Sequence, residues 1–153
     1  MKTAKIATLA ALILPATAMV ATAAAPRDAI KQRHKNFEAM GKAMKGTMDE
    51  FKLPAPNPAK IRANADALAA AALKVEAGFP AGTGPESGLK TEALPAIWQK
   101  PADFKAASDK LVAATRGFQA AAATGDLARM QAAVGTVGGT CKGCHDSFRK
   151  HRS

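Results

Sequence analysis

The chain has 153 residues, two cysteines and no tyrosine, and after removal of a leader it is long enough for one domain but not two. Its formal net charge of +10 suits an acidic protein partner or an anionic surface. The basic residues are spread along the chain without aromatic interleaving, which excludes nucleic acid as the expected partner, and nothing in the composition suggests an enzyme of organic substrates.

Residues 1–23 read as a secretory signal peptide. Lys2 and Lys5 form a positive leader, Ile6 to Val20 is an apolar stretch interrupted by Pro15, and Ala21-Thr22-Ala23 offers small residues for cleavage. The stretch is short and ends in small residues, which weighs against a retained membrane anchor. Removing 1–23 leaves residues 24–153 as the expected domain and takes away two lysines, lowering the formal charge from +10 to +8. Export of this kind implies the periplasm.

The remainder is Ala-rich and poor in β-branched residues, a composition that favours helices. A first helix is expected from about Pro26 to Phe51, with Ile30, Phe37, Met40, Met44 and Met48 at helical intervals and Asp28 near its positive end. Pro54, Pro56 and Pro58 break it. A second begins with Asn57 as cap and Pro58 at the first helical position, carries Ile61, Ala65, Leu68, Ala72, Leu73 and Val75, and stops near Gly78-Phe79-Pro80.

The stretch from Pro80 to Lys100 reads mostly as a connection crossing the bundle, with Ile97 and Trp98 folding back onto the core. A third helix, about Pro101 to Ala123, shows Phe104, Ala107, Leu111, Ala114 and Phe118 at alternating intervals of three and four. Gly125 ends it and Asp126 caps the fourth, whose apolar stripe is Leu127, Met130, Val134, Val137, Cys141, Cys144 and Phe148. The expected fold is all-α, an antiparallel four-helix bundle.

The run Cys141-Lys142-Gly143-Cys144-His145 holds both cysteines and reads as a haem c attachment site. Two thiols so spaced can form two thioethers to one haem, and the adjacent histidine can ligate the iron. A redox dithiol would normally follow a strand, and none is expected before this motif. A zinc site would need a further ligand, His34 or His151, and a plain disulfide would leave His145 unexplained. Gly135, Gly138, Gly139 and Gly143 weaken the last helix; close approach of its backbone to the haem is the expected compensation, bending of the helix the alternative.

His145 is the expected axial ligand. Asp146 and Arg149 are the sequence neighbours able to reach its other side, while Lys142 should face solvent. Opposite it, the residues alone leave two states open: a sixth ligand from Met40, Met44, Met48 or His34, or no protein ligand at all.

The whole domain resembles the cytochrome c-prime family, the class II c-type cytochromes. The resemblance rests on Arg33 with Phe37 in the first helix, Pro95-Ala96-Ile97-Trp98 before the third, and the run from Cys141 to Lys150. It implies that Phe37 faces the distal side of the haem, where low-spin members similar to cytochrome c-556 carry a ligating methionine. Phenylalanine cannot ligate iron, so the resemblance implies five-coordinate, high-spin iron; the alternative is a six-coordinate electron shuttle with a methionine ligand. It further implies Arg33 near a haem propionate, Arg149 beside His145, one-electron transfer to a redox protein partner, binding of nitric oxide and carbon monoxide, and a homodimer formed through the first two helices.

Overall fold

The computed structural model describes residues 26–150. The signal segment and His151 lie outside the described residues.

Helix α1 (Pro26–Glu50) buries Ile30, Arg33, Met40, Ala43 and Thr47 at intervals that keep one face inward. Met48, expected on that face, is 46% exposed. It follows buried Thr47 directly and is therefore rotated about 100° away from it. The prolines end α1 as expected, and Glu50 secures the turn. Its carboxylate accepts the Asn57 backbone N–H at 3.0 Å and pairs with Lys60 at 3.0 Å. These contacts, that from Asn57 foremost, hold its carboxyl below the usual range.

Helix α2 (Pro58–Ala72) starts with the Asn57 side chain accepting from the N–H groups of Ala59 and Lys60. Alanines fill much of its buried face, which lets α1 and α4 come close. Leu73 is 60% exposed, again because it is one residue past a buried position, Ala72. Two single 3-10 turns, Glu76–Gly78 and Pro85–Ser87, and the short helix α3 (Ala96–Gln99) punctuate the connection to α4 (Pro101–Ala123). Gly125 takes φ +77°, and the Asp126 carboxylate then accepts from the Ala128 and Arg129 N–H groups to open α5 (Leu127–Phe148).

Neighbouring long helices run antiparallel. Asn36 of α1 donates to the Ala71 carbonyl, Gln119 of α4 donates to Asp66 of α2, and the rings of Phe79 and Phe104 meet at 4.9 Å. The connection therefore begins and ends at the same end of the bundle, and it is across that end that it passes. Trp98 folds back as expected: its indole N–H reaches the carbonyls of Phe79 and Pro80 at 3.1 and 3.2 Å. Gly84 permits this, since a Cβ there would stand 2.7 Å from the Trp98 ring.

Phe118, Ile61, Leu68, Met130, Val134 and Val137 are the most enclosed apolar side chains, and they come from α2, α4 and α5. Packing proceeds from α1 to α2, α2 to α4 and α4 to α5; α1 and α5 approach each other far less closely. Met44 of α1 and Gly138 of α5 meet across that looser side.

Candidate haem-binding site

Cys141 and Cys144 sit one turn apart on α5, half-buried against the core and not bonded to each other. Burial pushes both thiols above their ordinary range. A thioredoxin-like dithiol has the opposite shift and follows a strand, and among the described residues α5 follows α4 with no strand between them. Among the described residues, no group of three or more His, Cys, Asp or Glu gathers in a way that could hold a bare metal ion.

His145 follows Cys144 at the exposed edge of the same helix. Partial desolvation, and then the charge of Arg149, push its imidazole below the ordinary value, while Asp146 and Glu92 pull the other way. A neutral imidazole is the form that ligates iron. Two free thiols on one helix face with an imidazole beside them are the donor set that haem c requires, and the residues fit that group.

The level of the other site residues follows from one contact. Met44 of α1 lies against Gly138 of α5, with its Cε 3.9 Å from the point where a Cβ on Gly138 would be. In an antiparallel pair, moving seven residues back along α1 and seven forward along α5 covers the same rise on both. This brings Phe37 to the level of His145, and one turn further brings Arg33 to the C-terminal end of α5. Phe37 is half-buried, its ring 6.2 Å from that of Phe79 in an edge-on arrangement. Met40 is buried in the core, Met44 faces Gly138, and Met48 faces solvent.

Arg33 is 4% exposed and already heavily engaged. Its Nη1 donates to the Gly78 carbonyl at 3.3 Å and Thr83 Oγ1 at 3.1 Å; its Nη2 donates to the Thr83 carbonyl at 3.1 Å and Thr91 Oγ1 at 2.9 Å. The guanidinium also lies 4.5 Å from the centre of the Phe79 ring. These partners are neutral. A buried cation served by neutral oxygens still favours an anion nearby, as a propionate would be.

At the other side of the gap, Arg149 Nε and Nη2 both donate to Glu92 Oε2, at 2.8 and 2.6 Å. The backbone repeats this link: Leu94 N–H donates to the Phe148 carbonyl at 3.0 Å, and Lys150 N–H to the Glu92 carbonyl at 2.7 Å. Residues 91–94 thus form a strap from α1 to the end of α5, over the pair of helices that pack least. Lys142 pairs with Asp146 on the solvent side, as the sequence suggested for Lys142.

Sequence reasoning missed Phe79, Thr83, Thr91 and Glu92. Their partners are 45 to 58 residues away or on other elements, and only Gly78-Phe79-Pro80 carries a local signal, that of a helix stop. The glycine expectation is also corrected. Gly135, Gly139 and Gly143 recur every four residues on the exposed face of α5, opposite the cysteines, and a Cβ on any of them would meet nothing within 4 Å. Gly138 alone of the four touches another helix.

The family profile described as Cytochrome C' matches residues 28–149. The chain belongs to the cytochrome c' family. It is similar to the cytochrome c' of Rubrivivax gelatinosus, 41% identical over 125 residues that cover 82% of this chain and 96% of that one. It is similar in structure to a ferrous variant of the Alcaligenes xylosoxidans protein with nitric oxide bound, at TM-score 0.75 and 33% identity, covering 83% and 97% of the two chains. A carbon monoxide-bound variant of the same protein matches at TM-score 0.75 and 34% identity, covering 84% and 98%. As a cytochrome c', this chain carries one covalently bound haem c, and Cys141 and Cys144 are its only cysteines. It is a haem protein and not an enzyme.

Proposed function

We propose that this cytochrome c' works in the periplasm with His145 as the only protein ligand to iron, transferring single electrons and binding nitric oxide and carbon monoxide. The observation that supports the reading is the approach of Met44 to Gly138, from which the helix rise puts Phe37 level with His145, while Met40 is buried and Met48 turned to solvent. Haem c supplies a one-electron couple and, with one protein ligand, an open position for a small uncharged molecule. Cys141 and Cys144 fix its orientation. Phe37 would offer hydrocarbon, without a hydrogen-bond donor, to a small molecule bound at the haem. That favours ligands that need no polar stabilisation over dioxygen.

Arg33 is suited to hold a propionate by a charge-assisted hydrogen bond, because its neutral partners leave its charge uncompensated. Arg149, held by Glu92, keeps a positive charge beside the imidazole. The gas ligands come from the nitric oxide and carbon monoxide complexes of the Alcaligenes protein. The basic surface suits an acidic redox partner, and the close-packed α1–α2 pair is the face proposed for a homodimer.

Absorption spectra of the ferric and ferrous protein, with and without carbon monoxide, test the reading. High-spin spectra that change on adding carbon monoxide are expected. A low-spin ferrous spectrum abolished by Met44→Leu would replace this account with the six-coordinate shuttle, since Met44 is the methionine that faces α5.

A further inference from the structure

A shallow cavity of about 530 Å³ lies between the first half of α1 and the connection at Leu89 and Lys90. Arg27, Lys31 and Lys35 line it from one stripe of α1, four residues apart, and Lys90 faces them from the connection. Like charges at this spacing repel and cost the helix a few tenths of a kcal/mol per pair. None of these four cations forms a salt bridge among the described residues, whereas Lys45, Lys60, Lys105 and Lys142 each do. Exposed His34 also lines the wall, and Glu38 is its single carboxylate. The positive end of α1 adds to the same field. The cavity is not purely polar, because buried Ile30 and half-buried Leu89 contribute apolar surface to it.

We propose that this groove docks an acidic protein segment that carries one apolar side chain flanked by carboxylates. The cationic rim steers and holds the carboxylates, and Ile30 with Leu89 receive the apolar side chain. A membrane of anionic lipid presents a plane of headgroups, which would ride on the rim without using the concave floor. The place also suits a redox partner. Lys90 is followed by Thr91, bonded to Arg33, and by Glu92, bonded to Arg149, so the docked segment abuts the strap that spans α1 and α5. Only this last point rests on the electron-transfer reading above; binding itself involves no electron.

The test is titration of the haem-loaded ferric protein with the peptide Glu-Glu-Leu-Glu-Glu, followed by calorimetry and by amide shifts. Shifts at Ile30, Leu89 and Lys90 are expected, with affinity falling steeply as salt is raised. Lys31→Glu with Lys90→Glu should weaken binding about tenfold, and Lys110→Glu with Arg116→Glu, of equal net charge, about twofold or less. Replacing the peptide leucine by serine should also weaken it. Equal loss in the two double variants would overturn the proposal, since net charge alone would then act. Groove-dependent binding to phosphatidylglycerol vesicles without peptide binding would overturn it in favour of a membrane. Peptide binding together with indifference of the groove variants to reduction by an acidic flavodoxin would keep the docking site and discard its redox purpose.

Discussion

Arg33 on α1 and Arg149, just past the end of α5, hold adjacent residues of one connection, Thr91 at 2.9 Å and Glu92 at 2.6 Å. The strap thereby ties α1 to α5 where the two helices pack least. Arg33 does this with a planar set of donors that a lysine lacks. Lys in its place would leave several of the oxygens at Gly78, Thr83 and Thr91 short of a donor. Arg33→Lys should therefore cost about 2 kcal/mol, within the range for unsatisfied buried polar groups. The urea midpoint of the haem-loaded protein measures it, and an unchanged midpoint would show that water replaces the guanidinium freely.

Glu92 acts at the other end, in a half-exposed setting, so its pair with Arg149 contributes less to global stability, about 1 kcal/mol or below. Its effect should be local. In Glu92→Gln the amides of Leu94 and Lys150, which bond to the Phe148 and Glu92 carbonyls, should exchange with solvent faster than in the parent. Amides in the middle of α4 should not change. Hydrogen exchange resolved by residue distinguishes this from general loosening.

Phe37 tests the site itself. Phe37→Ala removes the ring at the level of His145 and should speed carbon monoxide binding to the ferrous protein by about tenfold or more, the scale of a barrier lowered by 1.4 kcal/mol. Phe37→Met places a thioether at the same level and should convert the ferrous spectrum to a low-spin form. A carbon monoxide rate indifferent to Phe37→Ala would remove Phe37 from control of access.

The helices were legible because their signals are local: Asn57 and Asp126 each cap a helix within three residues, and the stripe from Phe104 to Phe118 repeats in steps of three and four. The haem motif is equally local, with all its donors in five residues. The strap was not legible, because Thr83, Thr91 and Glu92 take their meaning from arginines on other elements. Arg33 illustrates the difference. The family resemblance implied a propionate beside it, but nothing in α1 shows that the same guanidinium closes a loop around two threonines.

Acid should expose the role of Glu50. Its folded-state pKa lies below the ordinary value of 4.5, so the ionised carboxylate's contribution is complete above that value. It is lost as pH falls through the lower folded value. Glu50→Gln keeps an oxygen for Asn57 but gives up the charge that faces Lys60. The variant should be less stable than the parent at pH 7, and the difference should vanish well below pH 4. Urea midpoints at both pH values measure this; a gap that persists in acid would assign the loss to shape and not to charge.

The glycines on the outer face of α5 separate two explanations for their presence. If the helix needed them to approach the haem, adding a methyl group would disturb the iron. Gly139 instead points away from the cysteines, and its added Cβ would meet nothing within 4 Å. Gly139→Ala should then stabilise the protein by about 0.5–1 kcal/mol, through the helix preference of alanine and the lower entropy of the unfolded chain. The ferric and ferrous spectra should stay as they are. Gly138→Ala is a more demanding case, because its Cβ would come to 3.9 Å from Met44 Cε, ordinary contact that still leaves the helix gain intact. Thermal unfolding and spectra of both variants decide the matter, and a shifted spectrum in Gly139→Ala would restore the close-approach explanation.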